Sequence, residues 1–354
     1  ARATAGPRTM RRPKSLPLCG FSLPSSSVIF SSTPNGARPC LSFALIRLVP
    51  GDPVEVRVGE RGISPERLAA FRHDLGLDLP LWRQFLDYLG HVLSGDLGVS
   101  LVTRNSVLSE FLTLFPATLE LSLAAMMLAL AVGLPAGMAA AVKRGTLLDH
   151  GVMGLSLTGY SMPIFWWGLL LMLAFSVGLG WTPVSGRIGV EFEVEPVTGF
   201  LLIDSLLSDE AGAFASAVQH LILPAMVLGT IPLAVVARMT RSAMLEVLGE
   251  DYIRTARAKG LGPARVIGLH ALRNALIPVV TILGFQLATI VGGSVVVESV
   301  FGINGIGRTY IDAVTQRDYP LVQGIALLLV MVTLVTNLLV DLSYSFLDPR
   351  IRYT

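Results

Sequence analysis

The sequence predicts an all-α polytopic membrane protein with about six transmembrane helices. Of its 354 residues, 52% are hydrophobic and only 15% are charged, whereas about 25% of the residues of a soluble domain carry a charge. The mean hydropathy is +0.65. Several apolar runs approach the length of about 20 residues that a helix needs to cross a bilayer. Composition and run length therefore exclude an ordinary soluble domain.

The loops between the apolar runs carry opposite charges, and this difference sets the orientation. The stretch 238–278 is basic, with Arg238, Arg241, Arg254, Arg257, Lys259, Arg265 and Arg273 against Glu246, Glu250 and Asp251. The stretch 182–219 holds Arg187 alone against Glu191, Glu193, Glu195, Asp204, Asp209 and Glu210. By the positive-inside rule, 238–278 faces the cytoplasm and 182–219 faces the outside.

Residues 1–40 form an atypical N-terminal segment. They contain six prolines, which disfavour a continuous helix, and they lack an apolar run of about 20 residues. Three interpretations stay open: a poor transmembrane helix over 16–48, a targeting-like extension, or a translation artefact that ends near Leu41, of which we favour the last. Residues 41–49, which the turn Pro50-Gly51-Asp52-Pro53 follows, resemble the end of the first transmembrane helix in a known family of membrane proteins.

Residues 50–114 are predicted to form a periplasmic insert with two helices. The first covers 66–75 and follows the N-terminal signal Ser64-Pro65. The second begins near Leu81, where apolar residues recur at helical spacing up to Leu89. The insert would act as a structural cap over the membrane helices, help to receive another protein, or do both.

The remaining chain, 115–354, is predicted to hold transmembrane helices two to six, over 115–142, 152–179, 221–237, 275–297 and 321–346. Pro163 should kink the third of them. Small and polar side chains in these helices suit either tight helix packing or a polar pathway, and both interpretations stay open. The candidate pathway residues are Pro163, Trp166, Gln286, Thr289, Ser294, Glu298, Asn337 and Asp341.

The cytoplasmic stretch 238–278 is more than a linker. Residues 243–259 lack proline and hold one glycine, so they are predicted to form a helix. Gly260 should end that helix in a left-handed conformation, which glycine adopts at little cost. A short helix with a glycine stop on the cytoplasmic face is suited to docking against another protein.

The segment Asp251–Leu261, with the sequence DYIRTARAKGL, resembles the coupling loop of binding-protein-dependent ABC importer permeases. The general form of that loop is Glu-Ala-Ala, three residues and Gly, with Ile-x-Leu-Pro further on. Here only the last alanine, Ala256, precedes Gly260, and the closing Pro278 comes late. Both departures are those of the dipeptide and oligopeptide branch, and the resemblance extends over about 41–353.

The resemblance implies a type I ABC importer permease fold in a bacterial inner membrane. The partners it implies are a second homologous permease, two ABC ATPase subunits and a periplasmic or lipid-anchored substrate-binding protein. ATP and Mg would bind the ATPase partners, and this chain would hold no cofactor. The residues implied in ATPase coupling are Glu250, Asp251, Arg254, Thr255, Ala256, Lys259, Gly260 and Leu261.

The implied function is to form half of a translocation pathway for dipeptides or short peptides. Alternative cargoes are nickel, longer oligopeptides or other small molecules. An ion-coupled secondary transporter is the rival from another class, but it needs acids at mid-depth in the membrane and usually an internal repeat, and neither is clear here.

Other function classes find little support. The sequence holds no Walker A motif, so the chain should not hydrolyse ATP itself. His220 and His270 sit alone beside apolar segments and indicate neither a catalytic nor a metal site. Cys19 and Cys40 establish no disulfide. The basic residues lack an aromatic platform, which argues against nucleic-acid binding.

Overall fold

The computed structural model describes His73 and residues 78–347, and the regular structure in this part of the chain is helical. Its only β-feature there is an isolated bridge between Val99 and Ser106. Two of the described segments are π-helical. Met172–Gly178 directly follows an α-helix that ends at Leu171, and Val266–Ala271 directly precedes an α-helix that begins at Leu272. The α-helices are α1 Leu81–Leu93, α2 Val107–Val142, α3 Leu147–Ser161, α4 Ile164–Leu171, α5 Leu201–Leu207, α6 Ala213–Leu248, α7 Asp251–Ala258, α8 Pro263–Arg265, α9 Leu272–Phe301, α10 Ile306–Thr315 and α11 Tyr319–Leu347.

The predicted class, an all-α polytopic membrane protein, is confirmed. Among the described residues, four helical runs are long and apolar enough to cross a membrane, and up to six if each of two bent helix pairs counts as one span. The bent pairs are Leu147–Ser161 with Ile164–Gly178, at 110°, and Thr289–Phe301 with Ile306–Thr315, at 79°. The predicted N-terminal segment and first transmembrane helix lie outside the described residues, and so does the predicted first insert helix apart from His73.

The two longest helices begin earlier than predicted. Helix α2 begins at Val107 rather than Phe115, because Ser106 caps it by accepting the Ser109 N–H at 3.5 Å and Pro116 is tolerated inside it. Helix α6 begins at Ala213 rather than Leu221. Each has 36 residues and, at 1.5 Å per residue, is about 54 Å long, which exceeds the roughly 30 Å hydrocarbon core.

Helices α2 and α6 pack so closely that they form the scaffold of the bundle. A Cβ on Gly137 would lie 2.5 Å from the carbonyl oxygen of Ala237, and one on Gly229 would lie 2.9 Å from that of Ala125. Small residues allow this approach of two backbones. The main core, built on this pair, takes in Leu121, Leu223, Val227, Ile290 and Phe301.

The kink predicted at Pro163 is a full break. Helix α3 ends at Ser161, Met162 is extended (φ −82°, ψ 137°), and Pro163 precedes α4. The clash of a proline ring with the preceding residue disfavours helical backbone at Met162. The two halves of the predicted third span therefore meet at 110° instead of forming one bent rod.

The acidic outer loop is folded and pinned to the bundle. Arg187 pairs with Glu120 on α2 at 2.7 Å, and the other Glu120 oxygen accepts the Leu202 N–H at 2.8 Å. Burial opposes ionisation of Asp204, but bonds from the Thr198 hydroxyl and from the backbone N–H groups of Thr198 and Gly199 outweigh it, and the pKa of Asp204 is lowered. Asp204, one of the acidic residues of this loop, therefore stabilises the fold of the loop itself.

The orientation can be tested at the two ends of α6. Glu193 precedes this helix, Glu250 follows it, and both are exposed. A helix longer than the hydrocarbon core separates them, so single cysteines should label from opposite sides. We expect Glu193→Cys to react with an impermeant maleimide in intact cells and Glu250→Cys only after permeabilisation. The opposite pattern would invert the topology.

Candidate functional site

Helix α7 lies on a platform made by those ends of the helices that are predicted to face the cytoplasm. Ile253 is 0% exposed and Ala256 is 8% exposed, and their i, i+3 spacing puts both on one side of the helix. This side packs on residues of α2, α6, α9 and the intervening π-helix: Ala141, Ala243, Met244, Val266, Ala271 and Ala275. Helix α7 is therefore seated by apolar contacts on its own subunit.

The C-terminus of α7 ends in a Schellman motif. The Leu261 N–H donates to the Ala256 carbonyl at 3.3 Å, and the Gly260 N–H donates to the Arg257 carbonyl at 2.9 Å. This pairing needs a left-handed residue just after the cap, and Gly260 has φ +77°. The predicted glycine stop is confirmed.

The extent of the predicted helix was wrong. Residues 243–248 are the last part of α6, and Gly249 and Glu250 separate them from α7. Glu250 is extended (φ −70°, ψ 147°), so the chain starts a new helix at Asp251. Helix α7, which lies in the predicted coupling segment, is thus a short element separate from the membrane-length helix α6.

A polar contact ties α7 sideways to α9. The Asn274 side-chain amide donates to the Tyr252 hydroxyl at 2.7 Å and to the His270 carbonyl at 3.2 Å. His270 lies in the π-helix that precedes α9. Residues 22 positions apart thus join the first turn of α7 to the start of the next membrane helix. The sequence prediction did not include Tyr252 or Asn274.

The outward side of α7 is basic and exposed. Arg254, Arg257 and Lys259, called here the basic face, are all exposed. Asp251 is also exposed and pairs with Arg254 at 3.3 Å, and a surface pair of this kind contributes about 0–1 kcal/mol. Such a face offers hydrogen-bond donors to another protein while the opposite side of the helix stays fixed.

The predicted coupling residues divide between the two sides of this element. Glu250, Asp251, Arg254, Thr255, Lys259 and Gly260 are exposed. Ala256 is buried and Leu261 is half-buried against the platform. The implied contact of Ala256 with an ATPase needs correction, because its methyl group packs on its own subunit.

The candidate pathway residues stand mostly on exposed helix surfaces. Pro163, Trp166, Thr289 and Asn337 are exposed, and Gln286 is half-buried. The hydroxyl groups of Thr289 and Ser294 donate to carbonyls of their own helix, those of Phe285 and Val291. Ser294 is buried, and the side chain of Asp341 lies outside the described part. Among the side chains described, no hydrogen bond or ion pair joins two of these candidates to each other.

Glu298 has a different environment from the other pathway candidates. It is 0% exposed, accepts the Thr118 hydroxyl at 2.7 Å and accepts the Arg308 N–H at 2.9 Å. The Thr118 oxygen in turn accepts the Ile306 N–H at 2.9 Å. Together Glu298 and Thr118 satisfy N–H groups at the start of α10, so Glu298 holds the bend between α9 and α10 and faces no open surface of this subunit.

Removing the charge of Glu298 should loosen this bend. Glu298→Gln places an amide group where the carboxylate accepts two hydrogen bonds, so we expect a loss of about 1–3 kcal/mol in the stability of the purified protein. Thr118→Val should act in the same direction. Thermal unfolding in detergent measures the effect, with Ser299→Ala on the exposed side of α9 as the control. Equal midpoints for all variants would contradict this role.

The described residues offer no site for a catalytic metal. No group of three or more His, Cys, Asp or Glu side chains close enough to hold an ion occurs in His73 and 78–347. His220 uses its Nδ1 in a 2.8 Å hydrogen bond with the Ser216 carbonyl. The candidate site is the exposed side of α7, which stands on a platform of membrane helices.

A bundle of membrane-length helices that carries one short helix, with one side buried and the other exposed, defines a polytopic membrane protein. The family model described as "Binding-protein-dependent transport system inner membrane component" matches residues 133–353, and its N-terminal counterpart matches residues 39–123. The chain belongs to this family. It is a multi-pass protein of the inner membrane and a permease component, and the recognised resemblance is confirmed.

Relatives that match the chain have names from peptide transport. The di/tripeptide transport system permease protein DppB of Pseudomonas aeruginosa is 63% identical over 313 residues, which cover 88% of this chain and 93% of the relative. The dipeptide transport system permease protein DppB of Escherichia coli is 56% identical over 316 residues, with the same coverages of 88% and 93%. The glutathione transport system permease protein GsiC of Salmonella choleraesuis is 42% identical over 313 residues, with coverages of 88% and 93%.

Proposed function

We propose that this chain forms half of the translocation pathway of an ABC importer for dipeptides or short peptides. A second homologous permease forms the other half, two ABC ATPase subunits bind ATP and Mg on the cytoplasmic side, and a periplasmic or lipid-anchored binding protein delivers the substrate. Family membership supports the importer class. The two relatives with 63% and 56% identity, both named for dipeptide or di/tripeptide transport, support the cargo.

The observation that carries the coupling proposal is the two-sided construction of α7. Its inner side, with Ile253 at 0% exposure, is fixed to helices α2, α6 and α9. Its outer side presents the basic face. A rigid element held by several membrane helices transmits a push from a docked ATPase to all of them together, as a hinged or shearing assembly requires. Alternating access of the pathway follows from that movement.

The environment of buried acids favours this proposal over an ion-coupled transporter. Asp149 pairs with Arg241, Glu298 accepts two hydrogen bonds, and Asp318 accepts the Ser100 hydroxyl at 2.5 Å. Each buried carboxylate is thus committed to holding two segments together. A proton relay needs acids that can change partners along a path, and these three are poorly suited to that role.

Site-specific cross-linking tests the docking surface. A photoreactive amino acid in place of Arg257 should form an adduct with an ATPase subunit in the assembled complex. The same group in place of Val190, which is exposed on the outer loop, should not. Absence of an ATPase adduct at position 257, in a complex that contains the ATPases, would remove α7 from the interface.

Cargo is tested separately by competition. Uptake of a labelled dipeptide by the reconstituted complex should be reduced by unlabelled di- and tripeptides more strongly than by glutathione, longer peptides or nickel. Equal or stronger competition by one of the latter would reassign the cargo and leave the importer class intact.

A further inference from the structure

A buried ion pair links the cytoplasmic end of the broken span to the helix that leads into α7. Arg241 on α6 donates from Nε to one oxygen of Asp149 at 2.5 Å and from Nη2 to the other at 2.7 Å. The Gly145 N–H adds a third donor to the carboxylate at 3.0 Å. The Asp149 side chain is 2% exposed and that of Arg241 is 26% exposed, so the pair is a bidentate contact between two helices whose carboxylate is shielded from solvent.

Further contacts show that α3 and α6 lie side by side and antiparallel. Asp149 meets Arg241 near one end of the pair of helices. Toward the other end, a Cβ on Gly159 would lie 2.8 Å from the Thr230 methyl group. Arg238 also lies over the ring of Tyr160, with 5.0 Å from its guanidinium carbon to the ring centroid. Helix α3 is therefore held to the cytoplasmic half of α6 along its length.

The same end of α6 carries the seat of α7. Ala243 and Met244, two and three residues after Arg241, lie in the same buried cluster as Ile253 and Ala256. Only Gly249 and Glu250 separate α6 from α7. Arg241 thus contacts α3 from the helix end that supports the coupling helix. The C-terminal end of α3 is at Ser161, and at Met162 and Pro163 the chain turns through 110° into α4.

We propose that Asp149 and Arg241 are positioning residues for coupling: their ion pair makes α3 move together with α6 and α7, and the relative movement is absorbed at the Met162–Pro163 break. This inference rests on the proposed function, because it assumes that an ATPase displaces α7. Buried ion pairs add little net stability, since apolar residues of similar volume often replace them without loss. The main contribution of the Asp149–Arg241 pair is therefore to fix the position of α3 against α6.

Paired substitutions separate geometry from stability. In Asp149→Leu/Arg241→Met, no buried charge is left unpaired, so membrane levels and thermal stability should stay near those of the parent protein. Peptide uptake per ATP hydrolysed should nevertheless fall on the order of tenfold, within the range found for directly coupled side chains. Arg241→Lys, which keeps the charge but loses the bidentate contact, should give an intermediate loss. Arg144→Gln, an exposed cytoplasmic arginine, is the control and should behave as the parent.

A distance measurement tests the movement without relying on uptake. Spin labels at Leu155→Cys on α3 and Ala258→Cys on α7, both exposed, are introduced with Cys19 and Cys40 replaced. In the assembled parent complex their separation should be the same with and without a non-hydrolysable ATP analogue. In the Asp149→Leu/Arg241→Met double variant the separation should change with nucleotide.

The two proposals fail in different ways. A parent complex that takes up no peptide with ATP contradicts the proposed function, whatever the labels show. A parent complex that transports normally, but whose label separation changes with nucleotide as much as in the double variant, overturns the ion-pair proposal. Normal uptake per ATP in both Asp149→Leu/Arg241→Met and Arg241→Lys overturns it as well.

Discussion

Gly260→Asp should abolish transport while the protein still inserts in the membrane at normal levels. Gly260 has φ +77° and no atom within 4 Å of an added Cβ, so its own subunit leaves room for a side chain. The left-handed conformation costs a residue with a Cβ roughly 1 kcal/mol, which does not unfold a bundle of this size. A docked ATPase is different, because added volume strains a packed contact by about 1–3 kcal/mol and the carboxylate adds charge. Substrate-stimulated ATPase activity and uptake in the assembled complex measure the loss.

Three variants show which property of Gly260 matters. Gly260→Asn has nearly the shape of aspartate without its charge, and tolerates the left-handed conformation. It should also lose transport if the position is packed, but be nearly normal if Gly260 is only a helix stop. Gly180→Asp imposes the same backbone cost on the outer side, at φ +63° with open space around it, and should transport normally. Full transport by Gly260→Asp would remove this turn from the mechanism.

Ile253→Asp should detach α7 from its seat and likewise abolish transport. Ile253 is 0% exposed in the platform, and an unpaired buried carboxylate is costly enough to displace the short helix. A graded series is the sharper measurement: Ile253→Val should cost about 0.5–1.5 kcal/mol and Ile253→Ala about 2–5 kcal/mol. Tryptic cleavage at the basic face in inside-out vesicles should accelerate in that order, and uptake should fall in the same order. Unchanged cleavage and uptake in Ile253→Ala would contradict the seat.

Features that depend on neighbouring residues in the chain could be predicted from the sequence. Loop charges gave the orientation that the cysteine experiment tests, and the glycine after Lys259 gave the left-handed stop observed at φ +77°. Pro163 indicated a kink in the third span. The angle of 110° between its two halves could not be predicted, because it depends on how α4 packs on the bundle. The inward direction of Ala256 was also available, because Ile253 lies one turn before it and the remaining residues of α7 are mostly polar. Reading Ala256 by its place in a motif, rather than by the face it shares with Ile253, led to the error.

Contacts between residues that are far apart in the chain could not be predicted from the sequence. Thr118 and Glu298 are 180 residues apart and Asp149 and Arg241 are 92 apart, and no local pattern connects the members of either pair. The break after α6 was missed for a related reason. A single glycine inside a helical pattern is usually tolerated, and only the packing of Ile253 on Ala243 and Met244 requires the chain to turn at Gly249.

The measurement that tests the account most directly is substrate uptake into vesicles that contain this chain, its partner permease and the ATPase subunits. With the binding protein and a labelled dipeptide outside and ATP inside, uptake should depend on ATP hydrolysis. It should persist when ion gradients are collapsed, and it should disappear when the ATPase subunits are omitted. Uptake that continues without ATPase subunits and follows an imposed proton gradient would contradict the importer mechanism, and with it the role assigned to α7.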